Sequence, residues 1–297
     1  MEKRFFAIFS KGVVISKNGN RLVFQKSEDK VSIPTRYLRG VLVFGRISLK
    51  SEAINLLLSE EIPVFFLTKF GRLKGFLITE LVASNNNNRL EQYSLFLGNR
   101  LGAAKFFVQK KLEEIENAFE VDLNEEKKLL EEAQNLDAVR GAEGIASRKM
   151  FEEVKKLLKD TEWNFDGRSY RPPPDEVNAL LSLSYTLVYA TALPLVVGLG
   201  YDPYISFLHS KRGTHAAFCS DLMEPLRPFT TLRLVKELRR GLFKREDFQR
   251  DTRKGYYLTE RGLWKFLNWF ERNTEDVVEK LSNTLAEFSS FLPEVTY

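Results

Sequence analysis

A chain of 297 residues exceeds the usual size of one domain, so two domains are expected, each able to bury a core. Its 43% hydrophobic and 29% charged residues are those of an ordinary soluble globular protein, and its single cysteine, Cys219, excludes an internal disulfide and fits a reducing cytoplasm. The net charge of +5 is local: Leu226 to Arg261 holds 11 Lys or Arg against 5 Asp or Glu, the footprint of a phosphate-rich partner or the solvated face of charged helices.

The start, Met-Glu-Lys-Arg-Phe-Phe, has no apolar run long enough for a secretion signal, so none is expected. The first eighty residues read as strands: Arg4 to Phe9, Val13 to Ser16, Arg21 to Phe24, Val41 to Phe44, Val64 to Leu67 and Leu73 to Ile78. Asn18-Gly19 marks a hairpin between the second and third. Ile54, Leu57 and Leu58 lie at helical spacing within Ser51 to Glu61, so one short helix packs on the sheet. The run Ser84 to Asn88 breaks the strand pattern and is read as the domain linker.

Beyond it the chain reads as helix over Leu90 to Glu120, Asn124 to Asn135 and Ala138 to Lys159, rich in Leu, Ala, Glu and Lys with amphipathic spacing. Asp166 to Pro174 is a loop, since Asp-Gly and three consecutive prolines cannot continue a helix. Val177 to Tyr201 has no charged residue and is long enough to span a bilayer. Its Asn178, Ser182, Ser184, Thr186, Thr191, Pro194 and Gly198 favour a buried core helix instead, and no membrane partner is expected. Basic helices follow to the C-terminus, with Asn273 to Tyr297 read as an amphipathic helix. The expected class is α+β: a mostly-β N-terminal domain over residues 1–84, then a larger all-α catalytic domain over 85–297.

Chemistry concentrates between His209 and Arg227, where an imidazole precedes the acid pair Asp221 and Glu224 beside a run of basic residues. Asp221 with Glu224 three residues on is equally the pattern of a helix capping box, with Pro225 arguing mildly against it. Side by side, two such carboxylates repel, and a divalent cation is a common reason to keep them together. His209 and His215 each have the alternative of a hydrogen-bonded core histidine. Glu143 stands between Gly141 and Gly144 in a helical segment, where each glycine costs about 1 kcal/mol relative to alanine. Glycine is kept in a helix where a backbone or ligand comes close, or Gly141 marks a helix boundary with Glu143 in its first turn.

One histidine with two or three carboxylates is a hard, oxygen-rich set that suits Mg²⁺ or Mn²⁺ better than zinc, and a single cysteine argues against a structural zinc site. No phosphate-cradling Gly-Lys-Ser/Thr loop, no Gly-x-Ser-x-Gly elbow and no dinucleotide glycine fingerprint competes with it. A cation beside a basic surface points to phosphodiester chemistry. The alternative is a non-catalytic DNA-binding architectural subunit whose acids are helix caps.

Three blocks carry a family resemblance: Gly141 to Ala146; Phe165 to Tyr185, including Arg168, Arg171, Asp175 and Asn178; and Asp202 to His209 leading to Asp221-Leu-Met-Glu224-Pro-Leu-Arg227-Pro. The chain resembles the CRISPR-associated endonuclease that serves as the integrase of spacer acquisition, from the N-terminal strands to about residue 260. The resemblance implies a homodimer joined through the N-terminal domains and one divalent-metal site in the helical domain. By position its ligands are Glu143, His209 and Glu224, with Asp221 close by and also important. Glu224 departs from the aspartate of many members, which bears on geometry and metal preference. The implied reaction inserts a short fragment of double-stranded DNA into a repeat array by transesterification, with cleavage of branched or other DNA as the same chemistry using water or run in reverse. Lys211, Arg212, Arg227, Arg233, Arg239 and Arg240 are the expected phosphate contacts, because they adjoin the site. A small companion protein of the adaptation system is expected to bridge two dimers.

Overall fold

The computed structural model describes residues 3–8, 10–67, 73–79, 87–169, 172–210, 215–251 and 255–293. The strand-rich half forms two four-stranded sheets. In one, β1 (Arg4–Ile8), β5 (Leu38–Val43) and β7 (Val64–Leu67) run parallel, and β8 (Leu73–Leu77) closes the edge antiparallel to β7. In the other, β2 (Val13–Asn18), β3 (Arg21–Lys26) and β4 (Asp29–Pro34) form an antiparallel meander, with β6 (Ile47–Leu49) parallel to β2. Helix α1 (Ser51–Ser59) buries Ala53, Leu56 and Leu57 in the core between them.

Two strands escaped the sequence reading for physical reasons. The first four residues of β4 are exposed, so no apolar alternation marks it, and β6 is three residues long. The first hairpin is also shifted by one residue. Asn18 pairs with Arg21, so the loop is Gly19-Asn20, with positive φ at its first position only, as a II′ turn requires.

Strand β5 is apolar on both faces. Val41 and Val43 enter the core between the sheets, whereas Leu42, with Phe44 and Phe65, enters the core of the helical half. A strand covered on both sides has no polar alternation to show.

The expected linker lies outside the described residues as far as Asn86; Asn87 and Asn88 open helix α2 (Asn87–Phe119). The single helix expected over this stretch is broken at Asn99, whose φ and ψ of −147° and 53° are not helical. The Asn99 Oδ1 accepts from the Gly102 amide at 3.0 Å and caps the second segment. A side chain at position 102 would run into that cap. There follow α3 (Asn124–Glu132), α4 (Leu136–Leu158, capped by Asn135) and α5 (Glu176–Gly198, capped by Asp175). Among the described residues α5 is the one helix long and apolar enough to cross a membrane, and it is packed inside the protein. Helix α6 (Ala217–Leu222) and α7 (Leu226–Arg239) complete the group around it.

The helical half is not wholly helical. Where basic helices were expected, β9 (Phe248–Asp251) and β10 (Gly255–Leu258) form an antiparallel hairpin before α8 (Glu260–Arg272) and α9 (Thr274–Ser290). Strands of four residues, one of them half charged, carry too little pattern to read. The hairpin packs under the proline loop: Tyr256 N donates to Pro173 O at 3.0 Å, and a Cβ at Gly255 would collide with that carbonyl.

Helix α9 is part of the core. Phe288 is fully buried, with ring centroids 5.2 to 6.1 Å from Phe107, Phe218, Phe207, Phe106 and Tyr201. We expect Phe288→Ala to destabilise the protein by about 3–5 kcal/mol, read as a lowered midpoint in urea unfolding.

Candidate functional site

Glu143 lies inside α4, so Gly141 is not a helix boundary. A Cβ at Gly141 or Gly144 would meet nothing within 4 Å, so no other backbone packs against either glycine. Ser147 Oγ donates to Glu143 Oε1 at 2.7 Å, one turn along the same helix.

Asp221 is fully buried in α6, and its carboxylate is no helix cap. Its Oδ2 accepts from the amides of Phe207 and Leu208 at 2.6 and 3.1 Å, and its Oδ1 from the His209 amide at 2.9 Å. The same Oδ1 lies 2.8 Å from His209 Nδ1. One carboxylate therefore fixes both the backbone and the ring of His209, leaving Nε2 as the outward nitrogen. The carbonyls of this loop are held from other elements: Arg100 Nε donates to Phe207 O at 3.0 Å, and Arg140 Nη2 to Leu208 O at 2.7 Å.

Glu224 sits in the turn between α6 and α7, its side chain 4% exposed. Its Oε1 is 3.5 Å from His209 Nε2 and accepts from Arg227 Nε at 2.8 Å. The Arg227 guanidinium lies 4.8 Å above the Tyr185 ring, and the Tyr185 hydroxyl pairs with Thr231 Oγ1 at 2.6 Å. The third partner is Lys111, on α2 and 3% exposed, whose Nζ reaches Glu224 Oε2 at 2.7 Å and also pairs with Glu143 Oε1.

These charges set one another's titration. Burial alone would raise Glu224, but Arg227, then Lys111 and His209, outweigh it and hold the carboxyl at about 2. Burial works against a charged Lys111, yet Glu143 and Glu224 outweigh it and hold the ammonium above the ordinary lysine range. For His209, burial is likewise overcome by the Asp221 hydrogen bond and the Glu224 charge, and its pKa is raised.

The structure thus brings Glu143, His209, Glu224 and Asp221 together from three segments of chain. The donor set fits a hard divalent cation: two carboxylates and an imidazole whose other nitrogen is oriented by a third. Among the described residues no three acids or histidines converge closely enough to hold an ion as they stand. The charge between Glu143 and Glu224 is the Lys111 ammonium. His215 stands apart, stacked on Tyr189 at 4.9 Å and paired with Ser220.

Sequence reasoning missed Lys111, yet a signal existed. It occupies a core position of α2, in step with Ala104, Phe107, Val108 and Ile115, where a lysine stays buried only when paired. The expected phosphate contacts divide. Lys211 and Arg212 lie outside the described residues. Arg227 is bound to Glu224, and Arg233 pairs with Asp276 of α9 at 2.5 Å. Arg239 and Arg240 are exposed at the end of α7, Arg240 beside Glu237.

The family pattern described as "CRISPR associated protein Cas1" matches residues 6–272. The chain belongs to the Cas1 family. It is similar to the CRISPR-associated endonuclease Cas1 1 of Thermus thermophilus, 31% identical over 278 residues that cover 91% of this chain and 85% of that one. Its fold matches a CAS1 protein from Thermotoga maritima with a TM-score of 0.82 at 22% identity, over 97% and 96% of the two chains. A casposase bound to integration product matches with 0.73 at 22% identity, over 96% and 83%. A chain of a partial Cas6-RT-Cas1–Cas2 complex matches with 0.67 at 22% identity, over 96% and 94%. The strand-rich half followed by the helical half is the Cas1 fold.

Asp221 and His209 separate by experiment. Asp221→Ala strands three buried amides, and we expect a loss of about 3–5 kcal/mol in thermal or urea unfolding. His209→Ala removes a partly exposed ring and one of the four hydrogen bonds to Asp221, and should cost less, about 1–2 kcal/mol.

Proposed function

We propose that this chain is a divalent-metal-dependent DNA endonuclease and integrase that joins short DNA fragments to a CRISPR repeat array by transesterification. The observation that carries the reading is the meeting of Glu143, Glu224 and the outward Nε2 of His209 beside fixed cations, in a chain of the Cas1 family. The endonuclease name of its relative and the integration product of its casposase neighbour support the two halves of the activity.

Mg²⁺ or Mn²⁺ bound by Glu143, His209 and Glu224 would supply Lewis-acid charge at a phosphodiester oxygen. The chain's own residues prepare the place. Asp221 holds His209 in the tautomer that turns Nε2 toward Glu224. Arg227, braced by Glu224 and the Tyr185 face, keeps a positive charge at the rim without a mobile side chain. With His209 neutral, Glu143, Asp221 and Glu224 against Lys111 and Arg227 leave one net negative charge. A divalent cation turns this into one net positive charge, the complement of a single phosphodiester.

Double-stranded DNA is the proposed partner, with phosphates met by Arg239, Arg240, Lys211 and Arg212. Family membership supports a homodimer joined through the N-terminal domains, and the Cas2 of the structural neighbour supports a small companion protein.

Glu143→Gln, His209→Ala and Glu224→Gln should each reduce cleavage and strand transfer on labelled DNA by at least about a hundredfold, with EDTA doing the same to the wild type. Full activity in any variant removes that residue from the site, and indifference to EDTA favours a metal-free reading. The double variant Arg239→Ala/Arg240→Ala should lower the slope of log affinity against log salt by about 2 in DNA-binding titrations.

A further inference from the structure

Lys111 is a buried charge at the centre of the site that neither the motif nor a metal-ligand role accounts for. It is buried to 3% exposure on α2, between acids supplied by α4 and by the turn before α7. A buried ammonium is retained only when its charge is met, and here two carboxylates meet it. The same two carboxylates are those proposed to hold the divalent cation. Lys111 Nζ occupies Glu143 Oε1 and Glu224 Oε2, so a divalent ion held by the same two acids would compete with it, and a lysine is a point charge on a flexible four-carbon stem.

We infer that Lys111 is a tethered stand-in cation: it holds Glu143 and Glu224 facing each other in the metal-free protein, and an entering divalent ion must displace it from at least one of them. The inference rests on the metal-dependent reading above. It makes Lys111 a positioning residue, one that keeps the site assembled before metal arrives and sets how tightly metal is held. Without the ammonium, two acids are left facing each other, and the metal-free state is raised relative to the metal-bound state. Binding anything to the native state then stabilises it by more.

The test uses the full-length protein with Mn²⁺ or Mg²⁺ alone as probe. By calorimetry, Lys111→Met should bind Mn²⁺ about tenfold more tightly than the wild type. Its melting temperature should be lower without metal and should recover more on adding Mn²⁺. Lys111→Arg, which keeps the charge, should retain most of the metal-free stability. Equal or weaker Mn²⁺ binding by Lys111→Met overturns the inference. Should Lys111→Met fail to fold, the wild type carries the test through ¹⁵N NMR of its labelled lysine ammonium groups, with Lys111→Arg identifying the Lys111 signal. The inference expects a protected Lys111 signal without metal that shifts or vanishes on adding Mg²⁺. A signal unmoved at saturating Mg²⁺ overturns it while leaving the metal-dependent reading standing. If calorimetry finds no metal binding to the wild type, and Glu143→Gln behaves identically, the metal-dependent reading falls and takes this inference with it.

Discussion

A single buried carboxylate, that of Asp221, holds the candidate site in place. A charged group with no access to water survives only where hydrogen bonds replace its hydration, and Asp221 is given three backbone amides and an imidazole. The loop it gathers is pinned on its other side by Arg100 and Arg140. It is anchored from beneath by Phe207, whose ring joins Phe107, Phe218 and Phe288 in the aromatic core. Ring packing sets where the loop lies and charge-assisted hydrogen bonds set its shape. His209 inherits both, although it is itself half-buried at the surface end of this support.

Around that fixed point the site meets a second constraint, the repulsion between like charges. Glu143 and Glu224 approach from different elements, and nothing in local sequence holds them together. Lys111 and Arg227 supply the opposing charge, one from beneath and one from the rim. The depressed titration of Glu224 and the raised titration of Lys111 are two views of the same balance. A cluster so arranged stays charged and assembled, and an acid kept ionised can take up a cation without first losing a proton.

How much of this was legible in the chain depended on how local each signal was. The hairpin at Gly19 and the proline loop are short-range chemistry, and the chain displays them openly; the helix cap Asn135 did not show, since the helical pattern before it ran on through that residue. Strand β4 was not legible, because an exposed edge strand has no apolar rhythm, and the strands of the hairpin β9–β10 are too short to show one. At the site, the sequence placed the acids and the histidine, but Asp221 with Glu224 read equally as a capping box. What decides between these is the fold of residues 207–209 back over α6, a contact no spacing encodes. Lys111 was hidden differently: Lys110-Lys111 looks like any charged helix face until the apolar stripe of α2 is found to run through its second member.

The same distinction applies to the two halves of the chain. Composition changes sharply near residue 84, from strand-formers to helix-formers, and this reads as a boundary. The core boundary does not coincide with it. Along β5 alternate residues point to opposite faces, so Val41 and Val43 serve the core between the sheets while Leu42 serves the helical one, joined by Phe44 and Phe65. A sheet covered on both faces has no solvent side, and the strands therefore act as a wall of the helical core as well as the centre of their own. Helix α5 fits this picture: its lack of charge, which by length alone suits a bilayer, is what burial on every side requires. The site's rigidity thus draws on an apolar core that both halves of the chain build, and the strand-rich half is part of the frame on which Glu143, His209 and Glu224 are held.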